Sequence, residues 1–323
     1  MITGNEGGSH PHSLRKIRGD CIMVKVLGIG DNLCDVYLHT KTMYPGGQAL
    51  NVAVFSGMLR AKADFMGAFG SDAVAAHVKS TLDRLGVGRS RCREYEGENG
   101  FARVILENGD RVFRGSNRGG VLREHPIELD EDDLEYMKAF DVVHTSNNSY
   151  FDPQLSLLAK LGTRVSYDFS YRWNEPDRVE RVCPYIDFGF LSCGGVTAGE
   201  AEKICASIYG AGCKTVVATM GGRGALLFDG VNMLYNQPEL IEAVDTMGAG
   251  DSFAACVLVG AAQAIGENPE RWGNAAFRKD CYGRIMARAA AFAARTCMTN
   301  GSFGYGTPLP DSVAGRVLNW TEG

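Results

Sequence analysis

Residues 245–253 read Asp245-Thr246-Met247-Gly248-Ala249-Gly250-Asp251-Ser252-Phe253. Three small residues, Gly248, Ala249 and Gly250, stand immediately before an apolar run that continues to Ile265. A helix starting there leaves its first amides without intrahelical acceptors. Together with the positive end of the helix dipole they form an anion site, and the small side chains let a phosphate approach the backbone. Asp251 then falls in the first turn, beside that anion. Bound phosphate repels a carboxylate, so Asp251 suits proton removal from an attacking hydroxyl better than it suits mere binding. A lone Gly-x-Gly-Asp would read as an ordinary helix cap; the whole nonapeptide is far more specific.

Working outward, the chain alternates strands and helices. Val24–Gly30 is a short apolar run ending in glycine, the pattern of a buried strand. Ala49–Leu59 places Leu50, Val54 and Leu59 roughly on one helical face. Ala63–Phe69 reads as a strand, and Asp72 as the N-cap of a helix to Leu85 that Gly86 stops. Asp141–Thr145, Arg164–Asp168, Asp187–Leu191 and Thr215–Thr219 are further strand-like runs; Ala249–Ile265 and Arg284–Thr299 are Ala-rich helices, and a Gly-rich loop follows over Asn300–Pro310. The alternation predicts an α/β fold with a mostly parallel central sheet and helices on both faces. Phe101–Glu107 and Arg111–Arg114 flank Asn108-Gly109, a strong two-residue hairpin signal. Cys34–His39 and Arg91–Glu96 are available to pair with that hairpin in a small antiparallel sheet, either a lid over a ligand or an edge of the main sheet. With no repeat or linker, residues 23–323 read as one domain with lid segments at about 34–48 and 91–120. Residues 1–22 lack the apolar core of a secretory signal and read as a disordered extension or tag remnant before Met23.

Composition sets the outer bounds. Forty-one of 323 residues are glycine, without a three-residue period or a Pro-rich tract, which excludes collagen and low-complexity disorder. The net charge of −5 argues against nucleic acid or a membrane surface as partner. Ten cysteines include no Cys-x-x-Cys pair, so reduced, buried thiols in a cytoplasmic protein are expected. The longest nearly apolar run, Phe253–Ile265, has 13 residues, fewer than the roughly 20 that span a bilayer.

The nonapeptide resembles the C-terminal signature of the ribokinase (PfkB-type) carbohydrate kinases. Gly46-Gly47-Gln48-Ala49-Leu50-Asn51 is similar to that family's N-terminal signature, and Val216–Ala225 to its nucleotide-binding strand and turn. The likeness runs from about Val24 to about Pro308. It implies a ribokinase-like fold, a sugar substrate, ATP and Mg²⁺. It also implies site roles: Asp251 as base, with Gly248, Ala249 and Gly250 as anion hole. Asp35 or Asp31 would bind substrate hydroxyls, and Gly46, Gly47 and Asn51 would line the sugar pocket. Thr219, Gly221 and Gly224 would approach the ATP phosphates and ribose, with Asn300 and Gly301 near the adenine. Asp245 and Thr246 match positions that hold a monovalent cation, K⁺, in many relatives. One departure stands out. The family often carries Asn-x-x-Glu to help organise Mg²⁺, where this chain has Ser192-Cys193-Gly194-Gly195, with Glu200 and Glu202 shortly beyond.

Within the family, Gly30-Asp31-Asn32, Asn108–Phe113 and Tyr167–Asn174 resemble the branch acting on fructoselysine, a sugar-amine. Arg111 then reads either as a substrate contact in the lid or as a cross-strand charge partner. The lid edge leaves room for a homodimer, since exposed strand edges invite pairing. Three other readings compete. Gly28-x-Gly30 suggests a Rossmann oxidoreductase, but the third glycine of that fingerprint would fall on Leu33. A Walker-type NTPase is disfavoured because no Gly-Lys pair occurs. An inactive sugar-binding regulator would have lost the base or the anion hole, and both are intact. A kinase of another small sugar (fructose, ribose, ketodeoxygluconate) or of a nucleoside is the main alternative substrate reading.

Overall fold

The structure is a computed structural model and describes residues 22–107, 110–238 and 240–321. Its strands are β1 (Lys25–Gly30), β2 (Leu33–Tyr37), β3 (Thr42–Gly46), β4 (Lys62–Phe69), β5 (Arg93–Glu94), β6 (Gly100–Glu107) and β7 (Asp110–Ser116). They continue as β8 (Val142–Ser146), β9 (Arg164–Ser170), β10 (Phe188–Ser192), β11 (Thr215–Thr219), β12 (Ala225–Phe228), β13 (Met233–Asn236) and β14 (Thr307–Pro308). A nine-stranded sheet runs β13-β12-β11-β10-β9-β8-β1-β4-β5. It is parallel from β11 to β5; β12 pairs antiparallel with both β11 and β13, so β12 alone runs against the other strands.

Alternation along β1 builds two core layers. Val26 faces the layer under the long helices, while Leu27 and Ile29 face the opposite one. Gly28 is where the helix Gln48–Met58 lies directly on the strand: a Cβ there would stand 2.2 Å from the Ala49 carbonyl oxygen. Gly28 is thus accounted for by helix–strand contact, and Gly30 (φ +126°) by Ser149, whose side chain would stand 2.1 Å from a Cβ there. The helix Ala249–Glu267 is longer than the 13-residue apolar run. At 19 residues it is long and apolar enough to cross a membrane, but more than half of its apolar window is buried. It packs chiefly on the helices Gln48–Met58 and Ala275–Thr296, as a core helix does. The last of these begins nine residues before the expected Arg284, capped by Asn274.

Strand order reverses at β1, whose neighbours β4 and β8 lead the chain in opposite directions. The crevice outside the carboxyl ends of β1 and β8 is the place where such sheets bind ligands. A second sheet, β14-β3-β2-β6-β7, stands beside it. It departs from expectation in two ways. β2 and β6 pair in parallel, because the chain leaves and re-enters this sheet through the main one. Arg93–Glu94 does not join it but pairs with Ala68 and Phe69 at the edge of the large sheet. The turn Asn108-Gly109 lies outside the described residues, but β6 and β7 flank it as an antiparallel pair closing at Glu107 and Asp110. All the described cysteines are free thiols, and all but Cys92 are buried.

Candidate active site

At the carboxyl end of β1, Asp31 is 4% exposed and both oxygens of its carboxylate are engaged by protein donors. It accepts from the amides of Gln48 (2.6 Å) and Ala49 (3.2 Å) and from the hydroxyls of Ser146 (2.8 Å) and Ser149 (2.9 Å). Asp31 thus anchors the start of the helix Gln48–Met58 to β8, with three donors on Oδ1 and one on Oδ2. Asp35, on β2, is equally buried and accepts no hydrogen bond from the described residues. Burial lifts its carboxyl to about 7; Arg111 opposes that shift, and Asp245 and Asp31 add to it. The unmet acceptor is therefore Asp35. Gly46 lies against it, since a Cβ there would stand 2.5 Å from Asp35 Oδ2.

Asp251 sits in the first turn of the helix Ala249–Glu267. Asn51 donates from Nδ2 to Asp251 Oδ2 at 2.6 Å and to Ser302 Oγ at 3.0 Å. Burial raises the Asp251 carboxyl to about 8, the charges of Asp168 and Asp31 add to the rise, and Asn51 and Arg111 oppose it. The residue keeps a partly exposed edge, where water screens part of this effect. Asp168, at the end of β9, is held by the Ser170 amide at 2.6 Å and is lifted to about 6, mainly by burial. Ser302 and Asp168 complete the cluster; the resemblance sets Ser302 beside the adenine with Asn300 and Gly301, and leaves Asp168 as a strand end within the Tyr167–Asn174 likeness. Ser302 lies 251 positions from Asn51, and only the fold brings the two together.

The glycines separate by what stands above them. Gly248 has φ +74°, and a Cβ there would meet Ser302 Cβ at 2.7 Å. Gly47 (φ +117°) and Gly224 (φ +92°) would collide with the carbonyl oxygens of Asp31 and Asn236, and Gly301 with the Tyr44 ring. These four are glycine because protein lies against them. Gly250 and Gly221 have nothing within 4 Å. Among the described residues no backbone acceptor takes the amides of Gly250 and Asp251, whereas Ala249 donates to Thr246 O at 3.3 Å. Two free amides under open space at a helix N-terminus can hold a phosphoryl oxygen. Thr219 Oγ1 is bonded to Leu191 O at 3.2 Å, at the end of β11 next to the open Gly221 turn, and Asn300 is exposed.

The positions matched to a monovalent cation are already engaged. Asp245 is fully buried and accepts from the Met247 amide (2.9 Å), the Gly301 amide (2.7 Å) and the Tyr37 hydroxyl (2.5 Å). Thr246 O and Oγ1 accept from Arg111 Nη1 at 2.9 and 3.1 Å. These oxygens do not fit a K⁺ ion. Glu200 is occupied in capping: its carboxylate accepts from the amide and hydroxyl of Thr197 at the start of the helix Ala198–Gly210. Among the described residues no three His, Cys, Asp or Glu side chains group as a metal cage. Such a site suits Mg²⁺ that arrives on a nucleotide and keeps several waters.

Comparison with known proteins agrees with this geometry. The chain matches the pfkB family of carbohydrate kinases over residues 22–166 and 190–297. It is 38% identical to fructosamine kinase FrlD of Bacillus subtilis (strain 168) over 288 residues, covering 88% of this chain and 95% of that one. It is 32% identical to fructoselysine 6-kinase of Escherichia coli (strain K12) over 232 residues, covering 72% and 87%. In fold it resembles Arabidopsis thaliana ribokinase complexed with ribose and ATP (TM-score 0.69, 18% identity, covering 93% of this chain and 100% of that one). It also resembles an E. coli protein solved as ribokinase II with ATP and Mg²⁺ (TM-score 0.67, 18% identity, 87% and 95%). The central sheet, the smaller sheet beside it and the Asp251 helix are those of a sugar kinase, and the chain belongs to the pfkB family of carbohydrate kinases.

Proposed function

We propose that this kinase transfers the γ-phosphoryl group of ATP to O6 of a fructosamine such as fructoselysine. The observation that carries the mechanism is the Asn51–Asp251 bond beside the free amides of Gly250 and Asp251. The acceptor hydroxyl attacks the γ-phosphorus in line, Asp251 takes its proton, and ADP leaves with the bridging electrons. The amides of Gly250 and Asp251 receive the equatorial oxygens, and Gly248 and Ala249 set the turn that aims them. Mg²⁺, when bound, screens the phosphates. Asp35 takes substrate hydroxyls, with Gly46 and Gly47 giving the backbone room beside it and Asp31 fixing the helix behind. Thr219 and the Gly221 turn lie toward the nucleotide, with Gly224 closing that turn against Asn236 and Gly301 holding the loop that bears Asn300. The smaller sheet acts as a lid that excludes water during transfer. A second copy would pair along its outer strand β7, and the compartment would be cytoplasmic.

The sugar-amine substrate is supported by the 38% identity to a fructosamine kinase and by charge. Asp31 acts on Asp35, Asp168 and Asp251, and Asp168 on Asp251, across the crevice, with the guanidinium of Arg111 opposing at Asp35 and Asp251. A crevice of that sign attracts a substrate carrying an ammonium group. ADP release should be measured over fructoselysine, another fructosamine, fructose, ribose, ketodeoxygluconate and cytidine, with the phosphate located by NMR. The expected result is the highest kcat/KM on a fructosamine and phosphate on O6. Preference for an unmodified sugar or a nucleoside contradicts it.

A further inference from the structure

We infer that Arg111 is the built-in cation of the loop leading to the anion hole, and that this kinase works without a monovalent metal ion. The inference rests on reading Gly248–Asp251 as the phosphoryl site, and starts from the poor fit of that loop to K⁺. All three partners of Asp245 are donors, so its carboxylate is paired from every engaged side by N–H or O–H groups. A cation placed there would face those hydrogens and would have to displace them. Thr246, the next residue, has both its carbonyl and its hydroxyl oxygen bound to a charged side chain. Arg111 Nη1 contacts Thr246 O at 2.9 Å and Thr246 Oγ1 at 3.1 Å. Thr246 Oγ1 in turn donates to Asp110 Oδ1 at 2.8 Å.

Two consecutive residues of β7 thus grip Thr246, two positions before Gly248, from the smaller sheet. Positive charge arrives with that sheet rather than from solution. Its reach extends to both carboxylates of interest, because the guanidinium opposes the upward shifts of Asp35 and Asp251. Arg111 is accordingly a positioning residue: its guanidinium binds Thr246 and fixes the carbonyl that orders the turn into the helix.

The test compares the full chain in choline, sodium and potassium chlorides at one ionic strength, by ADP formation and by thermal unfolding without substrates. The wild type should keep its kcat within about twofold and its Tm within about 1 °C across the three salts, since no ion-specific site is filled. Arg111→Met should retain its Tm to within a few degrees but lose about tenfold or more in kcat, and free guanidinium ion should restore a large part of that loss. Saturable activation of the wild type by K⁺ of about fivefold or more, or a K⁺-specific rise in Tm, overturns the inference. So does an Arg111→Met enzyme with unchanged kcat. If the wild type phosphorylates no sugar at all, the proposed substrate fails, while the salt dependence of Tm still decides the cation question.

Discussion

Asp251 is placed where its charge is costly. Asp251, Asp35 and Asp168 titrate at about 8, 7 and 6 in the folded chain, against about 4 for a free aspartate. Between those limits the folded state holds protons that the unfolded chain has released. The stability these groups contribute is therefore largest toward the acid end and is lost as pH rises through the folded values. A neutral isostere at Asp251 removes its share of that loss. Asp251→Asn should melt above the wild type at pH 8.5, with the difference shrinking toward pH 5, as followed by circular dichroism. A variant that melts below the wild type at pH 8.5 would show that the carboxylate is not held against its own solvation. Asn51 is the counterweight, since its donated hydrogen bond favours the charged form of Asp251. The candidate base and the small residues before it could be read from residue type and local spacing, and Asp35 from the family resemblance alone. The Asn51–Ser302 contact, the Tyr37–Asp245 contact and the tie of Asp31 to Ser146 were not legible, because each joins residues more than 100 positions apart.

At the scale of elements, the helix Ala249–Glu267 offers the sharpest internal control. Gly250 and Gly248 are two residues apart and are glycine for different reasons. Gly250 is a first-turn helical position with open space above it, so Gly250→Ala should leave stability unchanged or raise it by up to about 1 kcal/mol. Its methyl group would stand where the phosphoryl oxygens arrive, and kcat should fall about tenfold or more. Gly248→Ala must hold a positive φ and push Ser302, at a cost of about 1–3 kcal/mol in stability. Denaturant melts alongside turnover separate the two, and a Gly250→Ala enzyme of normal activity would remove Gly250 from the anion hole. The main strands were legible from apolar runs between helical stretches, and Thr215–Thr219 and the helix Ala73–Leu85 fall on the residues expected. Arg93–Glu94 falls within the expected Arg91–Glu96 but on another sheet, and Thr307–Pro308 was not legible, because two-residue strands have no period to read and are set only by the edge they meet. The glycine signatures were legible as motifs but not as contacts: whether a Cβ would strike protein or ligand is a tertiary fact.

Across the whole molecule, the smaller sheet is tied to the body at several points. Arg111 and Asp110 hold Thr246, and Arg103 donates to the carbonyls of Trp320 (2.8 Å) and Leu318 (3.2 Å). Trp320 lies under Gly115 and edge-on to Phe101. β14 adds a strand beside β3 and carries the loop with Gly301 and Ser302 to the site. Asp251 therefore sits where main sheet, smaller sheet and C-terminal loop converge, and its role summarises the account. The most direct test is a single-turnover comparison of wild type and Asp251→Asn with ATP, Mg²⁺ and fructoselysine, with ATP affinity measured in parallel. The predicted result is ATP binding within about threefold of wild type and phosphoryl transfer slowed by about 10²–10⁴. Transfer at a near-normal rate in Asp251→Asn would contradict the assignment of Asp251 as the base.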